Sequence, residues 1–381
     1  MKVTVSIARI LVGGLFIFSG LVKAIDPLGL AYKMQEFFEV WADAGYFKSL
    51  MDWLHVYATG FSIFMITLEV VLGVALLMGW CKRLTVWLLF LLTLFFTFLT
   101  AYVLFSGKIR ACGCFGDCIP LTPIQTFTKD IILTLLIILL LFGQKYIQPL
   151  FKKMVGGIVV LLSLIAVLAL QFYVLKHLPV KDCLPYKVGN NILELRKMPK
   201  DAVMDKYEYS FFYEKNGEKK EFKVTALPDS SWKFLERKEI LIQKGKNNVP
   251  LINDFTFTTA SGNDTTEDIL NQQGKYYLLF IKDIPKDTDA AWVKYFKSIY
   301  NQEKKVAGLP VYVITAASVK EIQSFLNADI PVFICDGTAI KTAARANPTI
   351  FLMNGPVIVD KKSGTDIKKI FGLGGFVGMK N

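Results

Sequence analysis

Long apolar runs dominate residues 1–180, and short alternating runs dominate residues 181–381. The stretch LTVWLLFLLTLFFTFLTAYVLFSG at 84–107 carries no charge, and neither do 131–144 and 154–175. A helix needs about 20 apolar residues to cross the hydrocarbon core of a bilayer. Residues 3–25 and 58–80 have that length with isolated ionisable exceptions. The pattern therefore predicts five spans, at about 3–25, 58–80, 84–106, 129–148 and 154–175. Between the first two, LAYKMQEFFEVW predicts an amphipathic helix with Leu30, Met34, Phe37, Phe38 and Trp41 on its apolar side.

Beyond residue 180 the period changes. YEYSFFYEKNGEKKEFKVT places two alternating runs around Asn216-Gly217, a hairpin signal. From about 251, the runs YYLLFI, PVYVITA and PVFIC read as strands separated by helical segments near 287–303, 318–326 and 337–345. ANPTIFLMNGPVIVDK then gives strand, Asn-Gly turn and strand. Alternating strands and helices predict an α/β sheet with parallel pairs, ended by a hairpin. The expected fold is a membrane α-helical bundle of about five spans followed by a soluble α/β domain, with a β-hairpin segment before it. The expected boundaries are 1–150 for a four-helix membrane domain, 151–180 for the fifth span, 181–250 for a linker and hairpin, and 251–381 for the α/β domain.

Composition narrows the class further. Of 381 residues 53% are hydrophobic, and the mean hydropathy is +0.42. That is too apolar for a soluble domain and too polar for a wholly embedded one, and it excludes a disordered chain and a porin. The net charge of +12 is shared equally by the two halves and scattered along both, which argues against nucleic acid as a partner. Lys2, Lys82, Arg83, Lys145, Lys152 and Lys153 fall on one side of the predicted bundle. The positive-inside rule puts that side in the cytoplasm. The expected location is a bacterial inner membrane, multi-pass in its lipid, with the amino terminus cytoplasmic and the carboxy-terminal half periplasmic.

Candidate chemistry is concentrated in few residues. Glu69 lies inside an apolar run, where an ionisable group faces the bundle interior. It is either a hydrogen-bonding strut between helices or a proton or quinone site. RACGCFGDCIPLTP places Cys112, Cys114 and Cys118 within seven residues, on the side expected to be oxidising. One Gly separates Cys112 from Cys114, so a disulfide across them would be strained and easily exchanged, with Cys118 as a resolving thiol. A stapled loop and a metal site with Cys183 as fourth ligand are the alternatives. The preferred reading keeps the three as redox thiols and assigns no metal. Cys183, just past the fifth span, is within reach of the loop for a structural disulfide. Cys335 ends a strand and reads as a buried small residue.

The residues ARILVGGLFIFSGLVKAIDP in span 1, Glu69 with LGVALLMGW in span 2 and CGCFG at 112–116 resemble the DoxX/MauE superfamily over about residues 3–150. The resemblance implies a small helical bundle that takes part in the maturation of partner proteins, with Cys112 and Cys114 as candidate redox cysteines. The order of elements over about 251–372 resembles a thioredoxin-like fold of the redoxin type. Pro348 then matches that family's cis-proline. Thioredoxins carry C-x-x-C after the first central strand, where this chain reads FIKDIPKDTDAAW without cysteine. The expected function is an accessory of periplasmic thiol–disulfide redox or protein maturation. The loop cysteines form the relay, the α/β domain recognises a periplasmic client, and quinone is the possible cofactor. A non-enzymatic membrane scaffold and a quinone-linked oxidoreductase subunit are the other two readings.

Overall fold

The structure is a computed structural model. It describes residues 1–109, 113, 116–243, 245–285, 290–303 and 308–370, with backbone alone at 298, 299 and 301–303. Its helices α1 (Lys2–Ala24), α2 (Pro27–Asp43), α3 (Lys48–Val56), α4 (Ala58–Met78), α5 (Lys82–Ser106), α6 (Pro123–Phe142) and α7 (Lys153–Lys176) build the apolar half. Five of them, α1, α4, α5, α6 and α7, are long and apolar enough to cross a membrane. The chain is thus a multi-pass membrane protein. Each carries one buried stripe, while residues such as Ile10, Phe64, Leu91, Leu135 and Leu162 stay exposed on the outer faces. That is the expected distribution where the surrounding solvent is lipid.

Helices α1 and α4 approach closely through glycine. A Cβ on Gly13 would lie 2.6 Å from Leu77, and one on Gly73 would lie 2.9 Å from the Gly13 carbonyl oxygen. Without a hydrophobic force between helices in lipid, such small-residue contacts supply the packing. The fourth span starts six residues earlier than predicted. Thr122 accepts from the Gln125 amide, the Gln125 side chain accepts from the Thr122 amide, and Pro123 occupies the first turn. This capping box, together with a proline that needs no amide partner, fixes the start, and Gly143 ends the helix. The amphipathic segment is α2, with Leu30, Met34, Phe37 and Phe38 buried against the bundle.

After α8 (Ile192–Leu195), strands β1 (Lys206–Lys215), β2 (Glu218–Lys223) and β3 (Lys233–Gln243) form an antiparallel sheet in the order β2-β1-β3. The hairpin turns at Asn216-Gly217, both at positive φ. Strand β3 was not visible in the pattern, because Glu236, Arg237, Lys238 and Glu239 break its alternation.

The second sheet follows: α9 (Thr266–Leu270), β4 (Lys275–Ile281), α10 (Ala291–Glu303), β5 (Val311–Thr315), α11 (Val319–Leu326), β6 (Val332–Ile334), α12 (Gly337–Ala343), β7 (Thr349–Asn354) and β8 (Val357–Ser363). Its order is β6-β5-β4-β7-β8. The pairs β4–β5 and β5–β6 are parallel, and β4–β7 and β7–β8 are antiparallel. Strand β4 is buried on both faces. Tyr276, Leu278 and Phe280 enter one core with Phe255 and Phe351, and Tyr277, Leu279 and Ile281 enter another with Val313 and Ile322. A strand covered on both sides reads as a continuous apolar run, as YYLLFI does. The Asn347–Pro348 peptide is cis. Leu184, Tyr186 and Ile192 are also buried, and Ile192 donates its amide to the Pro356 carbonyl at 2.9 Å. The α/β core therefore reaches back into the segment leaving α7.

Candidate functional site at the loop end of the bundle

Two polar assemblies lie at or below one end of the bundle. The opposite end is defined by Arg9, which donates to the carbonyls of Leu76, Leu77 and Gln148 and so satisfies the open end of α4. At the loop end, α1 finishes, α2 begins, α5 finishes, α6 begins and α7 exits.

The first assembly is inside the bundle. The Lys23 ammonium lies 2.5 Å from Glu69 Oε2, and the Ser19 hydroxyl donates to Glu69 Oε1 at 2.9 Å. Both partners are almost fully buried, and Lys23 also sits 4.7 Å over the Phe96 ring. Asp130 on α6 is 2% exposed; it pairs with Lys129 at 2.5 Å and accepts from Thr100 at 3.1 Å. Between the two pairs is a cavity of about 20 Å³, lined by Ser19, Glu69, Thr93, Phe96, Lys129 and Asp130. The Thr93 hydroxyl is buried there without a hydrogen-bond partner among the described residues. The cavity has room for about one water. The Lys23–Glu69 and Lys129–Asp130 pairs make an ion-paired polar layer around it. Glu69 is compensated in charge by Lys23, a residue not singled out from sequence. The available signal was the i, i+4 pair Ser19 and Lys23, which puts two polar groups on one helix face.

The second assembly is the loop itself. Cys112 and Cys114 lie outside the described residues. Gly113, between them in sequence, is at φ +73°, and a Cβ there would lie 3.2 Å from the Lys33 side chain on α2. At Gly116 a Cβ would lie 3.7 Å from the Val22 carbonyl oxygen of α1. Gly113 thus lies against α2 and Gly116 against the last turn of α1. Cys118 is joined to Cys183 by a disulfide with a Cα–Cα separation of 4.9 Å. That bond ties the loop between α5 and α6 to the segment leaving α7. Neither sulfur is therefore a thiolate metal ligand in this structure. Among the described residues no group of three or more His, Cys, Asp or Glu side chains is arranged for a metal.

The α/β domain meets this loop through the segment that joins α12 to β7. The Arg345 side chain is 5% exposed. Its Nε donates to Asp26 at 2.9 Å, its Nη2 to Asp117 at 2.8 Å and its Nη1 to the Lys341 carbonyl at 2.9 Å. Burial alone would lower the guanidinium, and the charges of Asp26 and Asp117 more than offset this, so it is held above its ordinary value. Burial raises Asp26 above the usual carboxylate range, although Arg345 pulls it down. Asn347 fixes the neighbouring strand end. Its carbonyl oxygen accepts from the Lys282 amide at 3.0 Å, and its NH₂ donates to the Asp283 carbonyl at 2.5 Å. Lys282, Lys341 and Arg345 then gather over the ring of Tyr32, at 5.8, 5.5 and 5.3 Å from its centroid. None of Asp26, Tyr32, Asp117 or Arg345 was singled out from sequence. Their partners are more than 200 residues apart, and no local pattern encodes them.

Two further contacts hold the domain on the exit of α7. Lys361 on β8 donates to Asp182 at 2.9 Å, and burial lowers this lysine below its ordinary value. His177 Nδ1 and the Asp366 carboxylate lie 2.6 Å apart. Cys335 is buried, and burial pushes its thiol up to about 12, so it stays protonated at neutral pH.

With this geometry in view, comparison with known proteins defines the class first. Residues 1–143 match the family described as Methylamine utilisation protein MauE, so the amino-terminal part of the chain is a MauE family domain. Residues 207–244, the three-stranded sheet, match a domain of unknown function (DUF8463). Among individual proteins, Protein TlpB of Flavobacterium psychrophilum is 32% identical over 137 residues, which is 35% of this chain and 35% of that protein. The chain thus covers about a third of the length of the curated relative it matches. No solved structure matches.

Proposed function

We propose that the protein is an inner-membrane accessory of periplasmic thiol–disulfide exchange or protein maturation. The observation that carries this reading is the convergence at one end of the bundle. The cysteine loop, its disulfide Cys118–Cys183 and the Arg345 contact of the α/β domain lie together there. Cys112 and Cys114 are the exchanging pair. A thiolate of one attacks a client disulfide, a mixed disulfide forms, and the second thiol displaces the client thiol. The client gains the two electrons and two protons that the loop loses, and the same steps run in reverse when the client is the dithiol. Cys118 and Cys183 hold the loop over the bundle.

The α/β domain, thioredoxin-like in its element order and its cis-proline, has no cysteine in the sequence between β4 and α10, so it serves recognition. The Lys23–Glu69 pair stiffens the bundle below the loop. The distribution of Lys and Arg supports a cytoplasmic amino terminus, and five spans would then carry the α/β domain to the periplasmic side.

The test is trapping of a mixed disulfide. In cells carrying Cys114→Ala, Cys112 should retain a client in a complex that dithiothreitol releases, and Cys112→Ala should lose it. Loop cysteines that stay oxidised under every electron supply, with no complex trapped, would overturn the reading in favour of a scaffold.

A further inference from the structure

The loop-facing edge of the α/β domain carries three cations from three places in the chain: Lys282 after β4, Lys341 on α12 and Arg345 after it. Their contacts come mostly from the membrane half. Arg345 holds the carboxylates of Asp26 and Asp117, Lys282 donates to the Tyr32 hydroxyl at 3.2 Å, and Lys341 donates to Gln35 at 3.5 Å. Lys282 also has Asp283 at 3.7 Å. The ligand already bound in cis is thus two carboxylates set beside one tyrosine ring. A planar guanidinium reads carboxylates in defined directions, and ammonium groups over an aromatic face add attraction. The cis contact is also built to be exchangeable. Asp117 is 41% exposed, so water and competing anions reach it, whereas Arg345 is sealed at 5%.

We propose that the Lys282–Lys341–Arg345 edge is a recognition surface for acidic, tyrosine-bearing segments of partner proteins, occupied in this structure by Asp26, Tyr32 and Asp117 of the same chain. A partner segment that replaces those residues lifts the edge from the loop and gains access to it. The loop is thereby uncovered only where a segment of the right charge is present. This deepens the function proposed above by naming the chemistry of the client. Its readout is kept separate, because it uses a chemical reductant and no client exchange.

The experiment uses the full chain in detergent micelles at low salt. Reduction of Cys118–Cys183 by a water-soluble phosphine is followed by mass-tagged alkylation of Cys183. Arg345→Gln should speed labelling about tenfold or more, as loss of one partner in a desolvated charge pair acts mainly on release. Hexaglutamate should speed labelling of the unmodified protein, added salt should do the same, and hexalysine should not. The Lys282→Gln/Lys341→Gln double variant should respond less to hexaglutamate. Native Cys335 should stay unlabelled throughout, which reports an intact α/β fold. If Arg345→Gln exposes Cys335, the double variant and the peptide pair carry the test. Equal rates with hexaglutamate and hexalysine, or an unchanged rate in a folded Arg345→Gln protein, would overturn the proposal.

Discussion

Two ion-paired clusters, one within the bundle and one at its end, use the same chemistry in different surroundings. Lys23 and Glu69 are at 2% and 6% side-chain exposure, almost wholly withdrawn from water. Arg345 is equally hidden, but one of its carboxylates, Asp117, is open to water. Inside the bundle, removing one partner leaves a bare charge. At the interface, removing Arg345 leaves Asp117 to water, while Asp26 stays largely buried. The difference separates a contact that sets the fold from one that can be made and broken.

The largest effect is expected at Glu69. Glu69→Gln strands the Lys23 ammonium and should destabilise the bundle by about 3–5 kcal/mol. The Lys23→Met/Glu69→Leu double variant should recover most of it, measured by denaturant titration in detergent. Full stability in Glu69→Gln together with lost thiol exchange would instead assign Glu69 a proton-handling role. Asp182→Ala, which strands the buried Lys361, should act similarly but only on the α/β domain, and thermal unfolding with amide exchange can resolve the two. Arg345→Ala should weaken docking by about 1–3 kcal/mol, the range for leaving buried polar groups unpaired. Protease sensitivity of the segment between α8 and β1 should rise while the bundle keeps its melting point.

A smaller effect is expected from pH. Burial would raise Asp366, but hydrogen bonds from Lys369 and His177 hold it below its ordinary value of 3.8. A depressed carboxylate stabilises the fold above its ordinary range and loses that contribution as pH falls through the lowered value. Acidification below about pH 4 should therefore loosen the contact between the turn after β8 and the end of α7, and Asp366→Asn should remove that dependence. The smallest effect is at Cys335. Its protonated thiol should resist iodoacetamide at pH 8 in the native protein and react after unfolding, and Cys112 and Cys114 in their reduced form should not share that protection.

Much of the architecture was legible along the chain. Four of the five spans lie close to their apolar runs, α2 packs with its predicted face, and the strand order after residue 275 follows the alternation of strand and helix. These features are local, because a 20-residue apolar run or a buried pentamer of aliphatic and aromatic residues has few ways to satisfy its backbone. The start of α6 was missed where a capping box outweighed hydropathy. The edge strand β3 was missed where charge pairs such as Arg237–Glu239 masked its period.

The sequence by itself determined which segments enter the membrane, which become strands, and that three cysteines are bunched in one loop, since each of these follows from periodicity or covalent spacing. The tertiary structure decided that Cys118 bonds Cys183, that Lys23 neutralises Glu69, and that Arg345 closes on Asp26 and Asp117. Those pairings join groups 46 to 319 positions apart in the chain. Distance in sequence carries no sign of them, because each depends on where the folded chain brings its partners together.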